Sequence, residues 1–223
     1  MSWLKGLKGK VKVNEPLSKY TTFKIGGPAK FLVEPLNLED LKALLDLRKR
    51  YKFRFFIIGA GSNLLVADKG LKAVVMHLGA HFFRKVRQEG DILEAGSGIM
   101  LNTLMRISQK KGLSGLEFLS GIPGTLGGAL AMNAACWGKS IADFVEKVKV
   151  MDYNGSVKYL DRDQIRFGYR SSSLQRYIIF AARLKFTKAP LEKIARVKQR
   201  CLRRRSLTQD NSWPNAGCIF KNP

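Results

Sequence analysis

The feature of this chain that most constrains its fold is the glycine-rich segment 115–138. Five of its glycines fall close together, at positions 121, 124, 127, 128 and 138. They alternate with apolar residues, whereas a flexible linker would be rich in serine and charge. The pattern therefore predicts a buried segment whose backbone approaches something closely. Because unpaired N–H groups in a turn can bind an anion, a ligand with phosphate groups is one candidate; a loop packed against a sheet is the alternative.

The net charge of +23 limits the classes of partner. It favours anionic ligands, and it leaves nucleic-acid binding as an alternative. The basic residues are scattered except for one cluster, Lys193–Arg205, which alternates with apolar residues and predicts an amphipathic helix with its charges turned to solvent. This cluster contains no aromatic residue that could stack on bases, which argues against nucleic acid.

The sequence gives no sign of a membrane or secreted protein. No apolar run reaches the ~18 residues of a membrane span, and residues 1–10 carry lysines without the apolar core of a signal peptide. The three cysteines have no paired spacing, as expected in a reducing cytoplasm. His77 and His81 have no third ligand near them, so no metal site is predicted.

Strand and helix patterns are mixed along the chain, which predicts an α+β fold with mixed sheets. Three helices are predicted. One begins after an N-cap at Asn37, and the other two span Ile99–Lys110 and Leu191–Arg205. The predicted strands are two short ones within 22–34, a buried one at Phe53–Ile58, one at Ala73–Met76, hairpins within 82–95 and 145–160, and one at Tyr177–Phe186.

A second turn with glycines, Gly59–Asn63, directly follows the strand predicted at Phe53–Ile58. Mononucleotide ligands commonly lie at strand ends, and Ser62 could bind phosphate oxygens there. Leu64 stands where the dinucleotide-binding fingerprint needs its third glycine, and the P-loop sequence is absent. A tight turn without a ligand is therefore the alternative. Both glycine segments are candidates for one ligand, and a flavin combines the diphosphate and the apolar body that they suggest.

Five motifs occur in the order Thr22–Ala29, Gly59–Leu65, Gly121–Gly138, Phe167–Arg170 and Asn215–Pro223. With them the chain resembles the UDP-N-acetylenolpyruvoylglucosamine reductases of bacterial peptidoglycan synthesis, from about Tyr20 onward. The resemblance implies a two-subdomain FAD-binding fold of the PCMH type, followed by part of an α+β substrate-binding domain. The implied ranges are 1–19 for an N-terminal extension, 20–188 for the FAD-binding domain with subdomains of about 20–76 and 77–188, and 189–223 for the start of the substrate-binding domain.

The resemblance also implies a chemistry and its residues. NADPH reduces a non-covalently bound FAD, and the hydride then reduces the enolpyruvyl double bond of a UDP-sugar. Arg170 is implied as the cation that stabilises the developing enolate, and Cys218 as the proton donor. The implied substrate-binding residues are Tyr169, Lys221 and Asn222. The implied cofactor-binding residues are Gly59, Ala60, Gly61, Ser62, Asn63, Leu64, Ile122, Pro123, Gly124, Thr125, Gly127, Gly128, Ala129 and Asn133. A monomer is favoured, with no nucleic-acid or membrane partner.

Two departures from the family pattern bear on these expectations. Where the family has Asn-Ala-Gly-Ala-aromatic-Gly, this chain carries Ala135 and Cys136. An alanine with positive φ at position 135 would cost on the order of 1–2 kcal/mol. The family pattern continues beyond the position of Pro223 with a glutamate that assists protonation, so we expect an incomplete third domain. A catalytically impaired FAD-binding fragment is the alternative to an active reductase.

Overall fold

The computed structural model describes Leu4, residues 6–210 and residues 212–217. Within these ranges the chain forms two compact units, one containing the residues up to Phe82 together with 212–217, the other Phe83–Asp210. Each unit is built on its own β-sheet, and the fold is of the α+β class. Over the described ranges, no helix combines the length and the apolar character needed to cross a bilayer.

The first unit contains a four-stranded mixed sheet and one α-helix. Its elements are β1 (Lys10–Pro16), β2 (Pro28–Glu34), α1 (Leu38–Tyr51), β3 (Phe55–Ile58) and β4 (Leu71–His77), with a 3-10 helix at Leu17–Tyr20. A further 3-10 helix, His81–Arg84, includes the last residues of this unit and the first of the second. The order across the sheet is β1, β2, β4, β3. Strand β1 is antiparallel to β2, whereas β2, β4 and β3 run parallel.

Helix α1 begins where the sequence predicts it. The Asn37 side chain accepts a hydrogen bond from the Asp40 N–H at 3.0 Å, which confirms the predicted N-cap. The Asp40 carboxylate is buried, and the N–H groups of Lys8, Gly9 and Leu36 donate hydrogen bonds to it that offset the cost of burial. Asp40 thus ties the residues before β1 to the start of the helix.

Residues 22–34 hold one strand where the pattern predicts two, so that prediction is wrong. The residues before β2 form a folded loop instead, in which the Leu17 N–H donates to the Gly27 carbonyl and the Gly27 N–H donates to the Ala67 carbonyl, both at 3.1 Å. A strand that the sequence did not predict, β1, lies within the range expected as an extension and pairs with β2.

Strand β3 forms where it is predicted, but it is not buried as expected. It lies at the edge of the sheet, and Phe56 and Ile57 are 38% and 37% exposed. A continuous apolar run is typical of a strand covered on both faces, and the position of the strand in the sheet decides how far that cover extends.

The second unit contains a five-stranded antiparallel sheet, three short ladders and three α-helices. Its strands are β5 (Val86–Glu89), β6 (Ile92–Gly96), β7 (Leu113–Ser114), β8 (Ala135–Cys136), β9 (Lys139–Ser140), β10 (Val145–Met151), β11 (Val157–Asp161), β12 (Phe167–Gly168), β13 (Ser171–Ser172), β14 (Ile178–Lys185) and β15 (Thr187–Lys188). Its α-helices are α2 (Leu101–Lys110), α3 (Leu126–Ala131) and α4 (Leu191–Thr208). Its short 3-10 helices are Leu116–Leu119, Ile141–Phe144, Arg162–Gln164 and Ser173–Arg176.

The main sheet of this unit has the order β11, β10, β14, β6, β5, and the short ladders pair β7 with β15, β8 with β9 and β12 with β13. One buried apolar cluster joins the inner faces of β6, β10 and β14 to α2 and α3. The predicted hairpins, the strand at Tyr177–Phe186 and the helix at Ile99–Lys110 are confirmed within a few residues. Helix α3 was not predicted, because it lies inside the glycine-rich segment.

Helix α4 contacts α2 and the 3-10 helix Leu116–Leu119, so it belongs to the second unit. Its buried side chains are Ile194 and Arg205. The prediction that its charges face solvent is wrong for Arg205, which is 7% exposed. The domain ranges implied by the resemblance remain proposals.

Candidate functional site

The glycine-rich segment of the second unit runs through a loop at residues 120–125 into α3. Thr125 caps this helix, with its Oγ1 accepting the Gly128 N–H at 3.3 Å. The loop also pairs with the residues before α2, because the Leu101 N–H donates to the Gly124 carbonyl at 2.9 Å. The segment is therefore held in a defined conformation on the core.

The four backbone N–H groups of residues 124–127 fall into two groups. The N–H groups of Leu126 and Gly127 donate to carbonyls at 2.9 and 2.8 Å, so they are already satisfied within the protein. Those of Gly124 and Thr125 have no acceptor among the residues that the structure describes, although both residues are buried. Because a buried N–H group needs a partner, these two adjacent donors are the candidates for binding an anionic group. Of the N–H groups of residues 124–127, the candidates for the predicted anion site are therefore those of Gly124 and Thr125.

The glycine at position 127 is required by packing. A Cβ there would lie 2.9 Å from the Ser97 Cβ, and the Gly127 N–H already donates to the Ser97 carbonyl. Ser97 itself is buried, and its hydroxyl has no partner within the described part of the chain. In the sequence, the signal for this residue is the Gly-Ser-Gly run at 96–98, a pattern that favours a helix entry over a ligand contact.

Asn133 joins the glycine-rich segment to the hairpin formed by β12 and β13. Its Nδ2 donates to the Gly168 carbonyl at 3.2 Å, whereas its Oδ1 is buried with no partner among the described residues. Two further side chains, Ser172 and Gln175, donate to the Ala131 carbonyl at 3.0 and 3.1 Å. The chain at the end of α3 is thus fastened by two hydrogen bonds to the hairpin and by a third to the 3-10 helix Ser173–Arg176 that follows it.

Tyr169 and Arg170 form the tip of this hairpin, because Gly168 pairs directly with Ser171. Tyr169 is 55% exposed, and Arg170 has a φ of +51°. A non-glycine residue in this left-handed region carries strain of about 1–2 kcal/mol, and such strain clusters at functional sites. Two residues with predicted roles, Arg170 and Asn133, are therefore linked through one short hairpin.

The departure at Ala135 introduces no left-handed backbone. Ala135 lies in β8, paired with Ser140, and the positive φ values near it belong to Asn133 and Trp137 instead. The cost considered for an alanine at this position therefore does not arise. Cys136 accepts a hydrogen bond at its Sγ from an Nη2 of Arg205 at 3.5 Å. The sequence patterns gave no sign of this contact between Arg205 and the glycine-rich segment.

In the first unit, the turn Gly59–Leu64 follows β3 as predicted. Gly61 has a φ of +61°, and a Cβ there would collide with the Tyr20 carbonyl oxygen, so this glycine is required by the backbone. Beyond it Leu65 is 71% exposed. These features fit a tight turn, with or without a ligand.

The motif at Asn215–Pro223 is described only as far as residue 217. The Asn215 carbonyl accepts a hydrogen bond from the Thr22 hydroxyl at 2.8 Å, within the first unit. The predicted proton donor, Cys218, and the predicted substrate contacts Lys221 and Asn222 lie outside the described residues.

The surroundings of Cys201 and His77 are given by burial and by nearby side chains of the protein. Burial raises the pKa of the Cys201 thiol, with smaller contributions from Glu117 and Cys136, so Cys201 stays protonated at neutral pH. His77 Nδ1 lies 2.7 Å from Glu34 Oε1. Within the described ranges, no group of three or more His, Cys, Asp or Glu side chains is arranged to hold a metal ion.

Comparison with known proteins identifies the fold of this chain and the family to which it is related. The profile of a family described as an FAD binding domain matches residues 29–161. The UDP-N-acetylenolpyruvoylglucosamine reductase of Moorella thermoacetica is 41% identical over 219 residues, which are 98% of this chain and 72% of that protein. The reductase of the same name from Alkaliphilus oremlandii is 39% identical over 215 residues, covering 96% of this chain and 70% of that protein.

A solved structure agrees with the sequence relatives. The UDP-N-acetylenolpyruvylglucosamine reductase (MurB) from Thermus caldophilus matches with a TM-score of 0.83 and 34% identity, covering 97% of this chain and 76% of the other. The FAD-binding fold implied by the five sequence motifs is thereby confirmed. This chain belongs to the UDP-N-acetylenolpyruvoylglucosamine reductase family.

Proposed function

We propose that this chain reduces UDP-N-acetylglucosamine enolpyruvate to UDP-N-acetylmuramate, with NADPH as the reductant and non-covalent FAD as the carrier, in peptidoglycan precursor synthesis. The observation that carries the proposal is the hydrogen bond from Asn133 to Gly168, which joins the Arg170 hairpin to the glycine-rich segment. We place the reaction in the bacterial cytoplasm, where the free thiols of Cys136 and Cys201 fit a reducing compartment. Its product would serve cell shape and cell division.

The second unit offers polar groups that fit FAD. Gly124 and Thr125 supply two adjacent N–H donors for an anionic group, and the buried Asn133 Oδ1 supplies an acceptor that lacks a partner among the described residues. When bound there, FAD would supply the hydride chemistry, as the carrier between NADPH and a carbon atom of the substrate. The remaining proposed cofactor contacts are Ile122, Pro123, Gly127, Gly128 and Ala129 in this unit and Gly59, Ala60, Gly61, Ser62, Asn63 and Leu64 in the other.

Arg170 is proposed to stabilise the charge that develops on the substrate. When hydride adds to one carbon of the double bond, the electron pair moves toward the neighbouring carbon and its carboxylate. A guanidinium stays protonated and presents N–H donors in a fixed plane, so it can stabilise this charge as it forms. The hydrogen bonds of Asn133 and Ser172 hold the two strands of the hairpin that carries Arg170. Tyr169 is proposed as a substrate contact beside it.

A proton completes the reduction at the neighbouring carbon, so that one hydride and one proton are added across the double bond. Cys218 is proposed as its donor, because a thiol is a stronger acid than a hydroxyl. Lys221 and Asn222 are proposed to bind the substrate. These three roles rest on the family resemblance.

The experiment separates the two half-reactions under anaerobic conditions. Protein with bound FAD is mixed with NADPH, and the loss of flavin absorbance is followed; the UDP-sugar is then added, and the return of absorbance is followed. The wild-type chain is expected to complete both steps. Arg170→Met is expected to reduce FAD within about twofold of the wild-type rate but to slow reoxidation about 100-fold or more. Arg166→Met, exposed and four residues earlier, is the matched control.

Cys218→Ala is expected to show the same pattern, with FAD reduction retained and reoxidation by the substrate slowed. Equal slowing of both steps in either variant would contradict the role assigned to that residue. A wild-type chain that cannot be loaded with FAD would overturn the proposal as a whole. One that is reduced by NADPH but never reoxidised by the substrate would support the alternative of an impaired FAD-binding fragment.

A further inference from the structure

We propose that Arg205 is a positioning residue that holds the two ends of the glycine-rich segment in the conformation that binds FAD. The inference rests on the proposed function. Arg205 acts through the segment, and contact with the cofactor or the substrate is not part of its role.

Three hydrogen bonds from the Arg205 guanidinium reach three different stretches of chain. Its Nε donates to the Ser120 carbonyl at 2.9 Å, its Nη2 to the Cys136 Sγ at 3.5 Å, and its Nη1 to the Gln209 Oε1 at 3.1 Å. Ser120 begins the loop that contains the Gly124 and Thr125 N–H donors, and Cys136 lies three residues after Asn133. One side chain of α4 thus bridges both ends of the segment that supplies the proposed cofactor contacts of this unit.

The segment is shaped to admit this side chain. A Cβ at Gly121 would lie 2.7 Å from the Arg205 Cδ and 3.1 Å from its Nε, so only glycine leaves room there. On the other side, the Arg205 Cζ lies 5.2 Å from the centroid of the Trp137 ring, within the range of a cation–π interaction. Gly121 and Trp137 both adopt positive φ, at +79° and +53°. Two residues with left-handed backbone, Gly121 and Trp137, therefore contact the Arg205 side chain.

The charge of Arg205 is costly where it lies, which argues for a role beyond filling space. The residue is 7% exposed, and no carboxylate in the described part of the chain forms an ion pair with it. Its acceptors are all neutral. A methionine would fill a similar volume without the penalty of burying an unpaired cation. A buried positive charge in contact with this loop also favours the binding of an anionic group nearby.

The alternative is that Arg205 merely attaches α4 to the second unit. The two roles differ in what they change. Loss of an attachment lowers the free energy of unfolding but leaves the affinity of the folded protein for FAD unchanged. Loss of a positioning residue weakens FAD binding by protein that is still fully folded.

The test compares wild-type protein with Arg205→Met, Arg205→Lys and Arg204→Met. Arg204 is the matched control, because its Cζ also lies 5.2 Å from the Trp137 ring centroid although the residue is exposed. The Kd for FAD is measured by flavin fluorescence well below the unfolding midpoint, with circular dichroism as the check on folding. Arg205→Met is expected to raise the Kd about tenfold, which corresponds to about 1.4 kcal/mol. Arg204→Met should stay within about twofold of wild type.

Arg205→Lys is expected to recover part of the affinity, because lysine keeps the charge but cannot donate to Ser120 and Cys136 together. Folded Arg205→Met protein that binds FAD as tightly as wild type would overturn the proposal, whatever its unfolding midpoint. If Arg205→Met does not fold, Arg205→Lys and Cys136→Ala decide in its place, and wild-type affinity in both would overturn it. Wild-type protein that binds no FAD would instead overturn the proposed function and this role with it.

Discussion

The turn after β3 and the loop before α3 both contain glycines, yet the glycines meet different needs. In the turn, Gly61 is fixed by its positive φ and by a neighbouring carbonyl that a Cβ would strike. At the start of α3, Gly127 makes room for Ser97, while the N–H groups with no acceptor among the described residues belong to Gly124 and Thr125. A glycine-rich motif therefore does not identify each of its glycines as a ligand contact. The space that a Cβ would need and the partners of each N–H group have to be considered separately.

The largest effect is expected from Gly61→Ala. The added Cβ would strike the Tyr20 carbonyl and would also hold a left-handed backbone, so the free energy of unfolding should fall by about 3 kcal/mol or more. Gly90→Ala is the matched control, because Gly90 has the same φ of +61° and no atom of the described residues lies within 4 Å of an added Cβ. It should cost only about 1–2 kcal/mol. Equal losses in urea denaturation would show that the contact with Tyr20 is unimportant.

Within the loop, Gly127→Ala and Gly128→Ala are expected to change stability in opposite directions. At Gly127 a Cβ would lie 2.9 Å from the Ser97 Cβ, and the resulting shift should destabilise FAD-free protein by about 2 kcal/mol. At Gly128 the nearest atom, Thr125 Oγ1, is 3.5 Å away, so the helix propensity of alanine should stabilise the protein by about 0.5–1 kcal/mol. Thermal unfolding measures both, and a loss at Gly128 as large as at Gly127 would contradict the packing account.

Asn133→Gly removes the side chain but keeps a residue that tolerates the φ of +46°. The hydrogen bond to Gly168 is lost, so the free energy of unfolding should fall by about 1 kcal/mol. The Kd for FAD should rise about tenfold, because the unpaired Oδ1 is the proposed acceptor. Titration with FAD measures this directly, and an unchanged Kd would exclude Asn133 as a cofactor contact.

The smallest effect is expected at the cap of α3. Thr125→Ala removes the acceptor of the Gly128 N–H and should lower the free energy of unfolding by about 1 kcal/mol. Thr125→Ser keeps the hydroxyl and should stay within a few tenths of that of wild type, on the order of 0.3 kcal/mol. Chemical denaturation of the pair checks the cap, and a loss of equal size in both variants would point to packing of the methyl group instead.

Sequence patterns succeeded in this chain where the controlling interactions are local. Asn37 caps the helix three residues before Asp40, and the turn at Tyr153–Gly155 joins β10 to β11. They failed where distant partners decide. Helix α3 contains two glycines, which disfavour a helix in isolation, but pairing of its first residues with the Ser97–Ile99 carbonyls holds it in place. The edge position of β3 likewise depends on the order of the whole sheet.

The candidate site shows the same division. The resemblance identified Arg170 and Asn133, but the hydrogen bond that joins their elements spans 35 positions in the sequence and could not be inferred from spacing. Arg205 was expected at the surface because it lies in a basic cluster. Its bond to Ser120 spans 85 positions, so only the folded chain shows that it is buried. The roles of Cys218 and of the residues after it stay predictions.

The most direct test of this account is residue-resolved amide hydrogen exchange of the second unit, with and without FAD. The N–H groups of Gly124 and Thr125 are predicted to exchange much more slowly once FAD is bound. Those of Leu126 and Gly127 are already hydrogen-bonded within the protein and serve as internal controls that should change little. Unchanged exchange at Gly124 and Thr125 in FAD-saturated protein would contradict the claim that this loop holds the cofactor.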